Sequence, residues 1–289
     1  MKAIAEFAMR GRFQALFVAF VCAGSVFLCW ISAAIVALAT LRKGAGQGGW
    51  LLLWSLLPAF VLVLWVNESG PLLLLLGTTV LALVLRNTVS LPLTVLSSVP
   101  VGVLTALAML LFGQPLLAEI AGFFDDFLQQ LEAQMAANQG QVVDLPRPTS
   151  LQIAGLLGVA NAVISTACLL LARWWQAVLY NPGGFGREFR ALSFSPVVTT
   201  VLCVAAIVLA TMGSEYFSWA GICIIPLNFA GIALVHAWVL AGKRSAGWLV
   251  GFYLALLLIE AARLLLVVLA IADSLFQFRR RWKQTGSEG

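Results

Sequence analysis

The chain has 289 residues, 62% of them hydrophobic and 10% charged, with 17 Lys and Arg against 12 Asp and Glu for a net charge of +5. Soluble domains carry about 25% charged residues, so this composition excludes a soluble globule. The positive balance does not point to nucleic acid either. All bases except Arg147 and Arg263 flank apolar runs, at Lys2–Arg12, Arg42–Lys43, Arg86, Arg173–Arg190, Lys243–Arg244 and Arg279–Lys283, which is the positive-inside pattern of a multi-pass membrane protein.

In chain order, the apolar run Phe13–Leu41 comes first, with bases at both ends. As one helix it would measure about 43 Å against a ~30 Å hydrocarbon core. Two crossings turning near Gly24-Ser25 keep both basic clusters on one side. Trp50–Val66 and Pro71–Leu85 make a hairpin around Asn67-Glu68-Ser69-Gly70, where Gly and Pro mark the turn. Leu91–Phe112 crosses again, with Pro92 and Pro100 bending it.

The one long polar interval, Gly113–Ser150, carries Glu119, Asp125, Asp126, Glu132 and Asp144 against a single base, Arg147. Apolar residues from Leu116 to Met135 recur at three- and four-residue intervals, which predicts an amphipathic helix from Leu116 to about Ala137. Its stripe is expected to be buried, against the outer membrane face or against the bundle. A lid or partner-docking surface is the alternative. Leu151–Leu179 then returns, with Arg173, Trp174 and Trp175 at its end.

The loop Asn181–Arg190 precedes a pair of crossings, Pro196–Met212 and Trp219–Ala241, with Glu215 at their turn. Trp248–Phe276 closes the chain before Arg279-Arg280-Arg281. A hairpin turning near Glu260-Ala261-Ala262-Arg263 would hold those arginines on the basic side, although no Gly or Pro marks the turn. In sum the chain reads as a single all-α transmembrane domain over 1–289, a polytopic bundle with room for about eight to ten spans and an extracytoplasmic insertion at 113–150.

Three stretches carry a resemblance to a known family. They are Glu6-Phe7-Ala8-Met9 leading on to Thr40-Leu41-Arg42-Lys43-Gly44, the loop Asn181-Pro182-Gly183-Gly184-Phe185 before Glu188-Phe189-Arg190, and the ending Ala272-Asp273-Ser274-Leu275-Phe276-Gln277-Phe278-Arg279-Arg280-Arg281. Together they resemble the YybS-like bacterial integral membrane proteins, a family of unknown function. That family is distantly similar to the substrate-binding S components of energy-coupling-factor transporters and to MreD of cell-shape complexes. The resemblance implies the bacterial inner membrane, both termini in the cytoplasm and solute binding. One departure stands out: where S components carry Ala-x-x-x-Ala for docking a coupling subunit, Ala8 is followed four residues later by Arg12.

Candidate site residues follow from the cost of polar groups in lipid. Glu260 and Arg263, three apart, are the ionisable residues deepest in an apolar run; they form a functional pair, a neutralised packing pair or a hairpin tip. Asn161 and Ser165 share a stripe with Gly158, which fits close helix packing or a polar pocket wall. Asn228 follows Pro226, where a freed carbonyl lines a cavity or the side chain caps its own kink. Asn181, Pro182, Gly183, Gly184, Phe185, Arg187 and Arg190 form an ordered turn, a partner-docking loop or a weak anion site.

His236 is the only histidine, and the five cysteines lie inside apolar runs without ligand spacing, so no metal or other cofactor is called for. No Ser/His/Asp arrangement suggests an enzyme. The leading expectation is a protein of S-component-like build that binds or helps transport a small solute, with the lipid bilayer and another membrane subunit as partners. The second is a scaffold in an envelope or cell-shape complex.

Overall fold

The computed structural model describes residues 2–139, 144–242, 244–245 and 247–279, and the regular structure it assigns among them is helical. Helices α1 (Lys2–Arg10) and α2 (Arg12–Ala23) are separated at Gly11. The chain then turns at residues 24–28 into α3 (Cys29–Lys43), so the first apolar run is a hairpin, as the charge argument requires. Ser32 Oγ donates to Ala19 O across it at 2.7 Å. Every residue from Ser32 to Leu41 is buried, because Ala, Ser and Thr let neighbours approach α3 from all sides.

Helices α4 (Ala45–Val66) and α5 (Gly70–Thr88) make the next hairpin, turning through Asn67 in the left-handed region (φ 54°). Helices α6 (Leu91–Leu96) and α7 (Ser98–Phe112) are one crossing interrupted at Ser97. Pro100 has no N–H for Leu96 O, four residues earlier, so the ladder breaks where α6 ends. Helix α8 (Gln114–Gln139) is the amphipathic element. Helix α9 (Ser150–Tyr180) starts at a capping box of Thr149 and Gln152 and runs about 46 Å through the middle of the bundle, with Trp175 fully buried.

After a short α10 (Gly184–Arg190), α11 (Pro196–Thr211) and α12 (Phe217–Ala241) form a pair joined through a 3₁₀ turn at Ser214–Tyr216. Helices α13 (Gly247–Leu258) and α14 (Glu260–Phe276) meet at Ile259 with a bend of 117°.

Among the described residues five helical stretches are long and apolar enough to cross a membrane: α4, α5, α6–α7, α9, and the 3₁₀ turn with α12. The bent α13–α14 pair makes six if it is one span. That is fewer than the eight to ten expected. The shortfall lies in α2, α3 and α11, with 12, 15 and 16 residues; they rise only about 18, 22 and 24 Å.

Loop charges sort by end of the bundle. At one end the Arg12 guanidinium lies 5.3 Å from the Trp50 ring and that of Arg42 lies 4.1 Å from the Tyr180 ring. Arg86 there donates to Thr40 O and Leu41 O, and Arg173 pairs with Glu188 at 2.7 Å. The other end gathers residues 24–28, the Glu68 turn, α8 and Ser214. Gln152 Nε2 donates to Ser214 O there, and Ser69 lies 3.5 Å from Met109 Sδ. Lys243, Arg280 and Arg281 lie outside the described residues.

Candidate functional site

A cavity of about 790 Å³ lies between α12, α13 and α14. That is within the ~300–1,000 Å³ range of small-molecule sites. It exists because α13 stands away from the bundle. None of the α13 residues is buried, and Leu254, Leu257 and Leu258 are more than half exposed. Leu234, Val235, Leu265, Leu266 and Leu269 line one side, Phe252 and Ala255 the other. Trp238, Trp248 and Ser245 form the rim at the end where α12 finishes; Ala262 closes the elbow beneath Ile259. With so apolar a lining, the space suits hydrocarbon and not a hydrated solute.

Glu260 and Arg263 flank Ala262 at that elbow, on the outside of the bundle. No ion pair joins them among the described residues, and Glu260 is simply the first residue of α14. The turn expected beside Glu260 is present, one residue earlier. The reading of Glu260 and Arg263 as a buried neutralised pair does not survive their exposure.

Asn161 and Ser165 face α5 and α7 instead of this cavity. Asn161 Nδ2 donates to Thr105 Oγ1 at 2.7 Å and to Leu73 O at 3.4 Å. A Cβ added at Gly77 would lie 2.8 Å from Ser165 Oγ and 3.2 Å from Asn161 Nδ2. Both therefore sit at a close helix crossing. Asn161 also borders a second cavity of about 200 Å³ beside Glu68, Ser69 and Cys29, at the end opposite the tryptophan rim. Asn228 Nδ2 reaches only Ile224 O, one turn back on its own helix, at 3.4 Å. Asn161, Ser165, Asn228, Glu260 and Arg263 are thus not brought together into one pocket.

The Asn181–Arg190 loop is folded back on the bundle. Asn181, Pro182, Gly183 and Arg187 are exposed, whereas Gly184, Phe185 and Arg190 are partly covered. Phe185 stacks on Phe189 at 5.7 Å, and Phe189 meets the His236 ring edge-on at 5.5 Å. His236 Nε2 lies 2.8 Å from Tyr253 Oη.

One site was passed over in the sequence except as part of the family resemblance. Arg279 Nε lies 3.1 Å from Asp273 Oδ2, with side-chain exposures of 14% and 5%. Arg279 also donates to Arg190 O (2.8 Å), Leu192 O (2.5 Å) and Ala230 O (3.0 Å). This single guanidinium ties the end of α14 to the loop after α10 and to α12. Burial lowers its pKa and Asp273 opposes that shift. An acid in an apolar run with a base six residues on was the available signal.

Helix α8 is held by a second clasp. Its first turns pack through Leu117, fully buried, against Met109, Ile153 and Ala154. Farther along, Arg147 pairs with Asp125, Glu132 and Asp144, and Leu145 N donates to Glu132 Oε1 at 2.7 Å. The bundle does not wholly cover the stripe: Phe123 and Phe127 are 68% and 55% exposed, which leaves the outer membrane face as the expected cover for that part. The helix turns its uncovered aromatics outward because the protein offers a partner only to its first turns.

The Arg147 hydrogen bonds lower the Glu132 carboxyl pKa to about 2, from an ordinary value near 4.5. A depressed carboxylate contributes stability above its unfolded pKa and loses it as pH falls through the folded value. The clasp is therefore expected to persist from neutral pH to about pH 3 and to open near pH 2. Protection of the Leu145 amide, its exchange rate relative to the intrinsic rate at the same pH, tests this: high at pH 3 in the parent, lost in Arg147→Gln. An amide equally unprotected in both would remove the clasp.

No family model matches the chain, and neither a curated protein nor a solved structure matches it.

Proposed function

We propose that this protein is a membrane-embedded binding protein of S-component-like build that takes an apolar molecule from the bilayer into the cavity between α12, α13 and α14. The cavity itself carries the reading. It has the volume of a ligand site, and its walls are hydrocarbon. It also stands at a helix pair that has no buried residue on its outer member. A solute with many hydroxyl or amide groups would lose its hydration there without gaining partners. The family resemblance implies the bacterial inner membrane, and the positive-inside rule favours the Arg42 and Arg173 end in the cytoplasm.

A scaffold role of the MreD type is the second reading. The observations that favour it are the exposed Phe123 and Phe127 on α8 and the exposed Asn181–Gly183 tip. Phe189 and Glu188 of that loop already engage His236 and Arg173, and the Arg190 carbonyl engages Arg279, so the cavity reading takes precedence.

Gly251 offers a direct test. It lines the cavity, and a Cβ built there meets nothing within 4 Å, so Gly251→Trp fills the space without straining the backbone. Native mass spectrometry of the parent is expected to show a retained small apolar molecule, and Gly251→Trp to lose it at unchanged thermal stability. Equal retention in both proteins would overturn the proposal.

A further inference from the structure

The cavity has a cationic rim, and this names the class of ligand. The Arg244 guanidinium lies 3.3 Å from the centroid of the Trp238 ring and 5.8 Å from that of Trp248. The two indoles meet edge-on at 5.7 Å. Trp238, Trp248 and the neighbouring Ser245 all line the cavity, so the arginine sits on its mouth. Stacking occupies the face of a guanidinium and leaves the N–H donors around its edge available. Among the described residues no carboxylate pairs with Arg244. At the same end Arg173 and Arg279 are paired, with Glu188 and Asp273.

We propose, resting on the cavity reading above, that the ligand is a single-chain anionic amphiphile whose carboxylate or phosphate head binds Arg244 while its hydrocarbon chain fills the cavity. Charge complementarity places the head. A stacked, water-accessible guanidinium beside a hydrocarbon-lined space matches an acid with a tail, and fits neither a neutral hydrocarbon nor a polar metabolite as well. The depth of the space sets the chain. From Trp248 at the rim to Ala255 near the elbow is seven residues, about 10.5 Å of helical rise. An extended chain with ~1.5 Å bonds advances about 1.25 Å per carbon, so roughly eight to ten carbons span the cavity.

The test uses the full-length protein in phosphatidylcholine bilayers, with decanoate, decyl phosphate and decanol as probes and native mass spectrometry as the readout. At least one of the two anionic probes should bind about ten-fold more tightly than decanol, the range expected for a charge-assisted hydrogen bond. Decanoate alone would assign a carboxylate head, decyl phosphate alone a phosphate head. In Arg244→Gln that preference should vanish with decanol binding unchanged, and Gly251→Trp should exclude all three. Equal affinity for decanol and both anions, or a preference that persists in Arg244→Gln, overturns the anionic head and leaves the cavity reading standing. No binding of any probe to the parent overturns both.

Discussion

Removing either member of the Asp273–Arg279 pair is expected to lower the unfolding free energy of the protein by about 3–5 kcal/mol, the cost of leaving one charge buried without its partner. Asp273→Asn leaves the guanidinium with three carbonyls but no counter-charge. Arg279→Leu does more, because it strands the carboxylate and also withdraws donors from Arg190 O, Leu192 O and Ala230 O. The double variant should recover part of the loss, giving a coupling well above the ~0–1 kcal/mol of surface pairs. Arg279→Lys should rescue little, since a compact ammonium cannot reach three carbonyls on two distant segments while facing the Asp273 carboxylate. Thermal unfolding in a mild detergent measures all four. Additive single effects within about 0.5 kcal/mol would show that the pair is not a coupled unit.

That pair marks where the sequence was and was not legible. Helices were readable because lipid enforces them: a charge-poor run long enough to cross must satisfy its backbone internally. The hairpin at 24–28, the turn at Asn67 and the break beside Glu260 all follow from that rule combined with the sorting of bases. Arg147 was visible as the lone base in an acidic interval, and three acids meet it.

Which charges end up buried was not readable in the same way. Glu260 and Arg263 looked deepest by counting from the ends of an apolar run. That count assumes a straight helix, and the chain bends at Ile259, leaving both outside. Asp273, near the end of the last apolar run, is among the most enclosed acids, and Gln277 takes a left-handed conformation (φ 51°) just after α14. Arg279 then folds back onto carbonyls from two distant segments, 49 and 87–89 residues away in sequence. The cavity has the same origin. It is made by an elbow without Gly or Pro, so composition gave no sign of it.

Gly158, by contrast, lies on the stripe with Asn161 and Ser165 whose spacing fits close helix packing or a polar pocket wall, and its environment leads to the second large expected effect. A Cβ at Gly158 would lie 2.6 Å from Gly102 O and 3.1 Å from the Ala106 Cβ, while one at Gly102 would lie 3.0 Å from Gly158 O. At Gly158 the nearest obstacle is backbone, so α7 and α9 must separate to admit a side chain there; no rotamer change moves that carbonyl. Overpacking where side chains can yield costs about 1–3 kcal/mol. Gly158→Val, facing a carbonyl, is expected at or above the top of that range, with Gly158→Ala intermediate. Gly221→Ala serves as the control, since its nearest neighbour is one flexible methyl of Val159 at 3.2 Å. The two-helix contact should also fail locally before the bundle does. Asn161 Nδ2 bonds Thr105 Oγ1 one turn from this crossing, so hydrogen exchange in α7 should accelerate in Gly158→Ala before global unfolding. A Gly158→Val protein as stable as the parent would mean that α7 and α9 are not in backbone contact, and the arrangement around α9 would have to be redrawn.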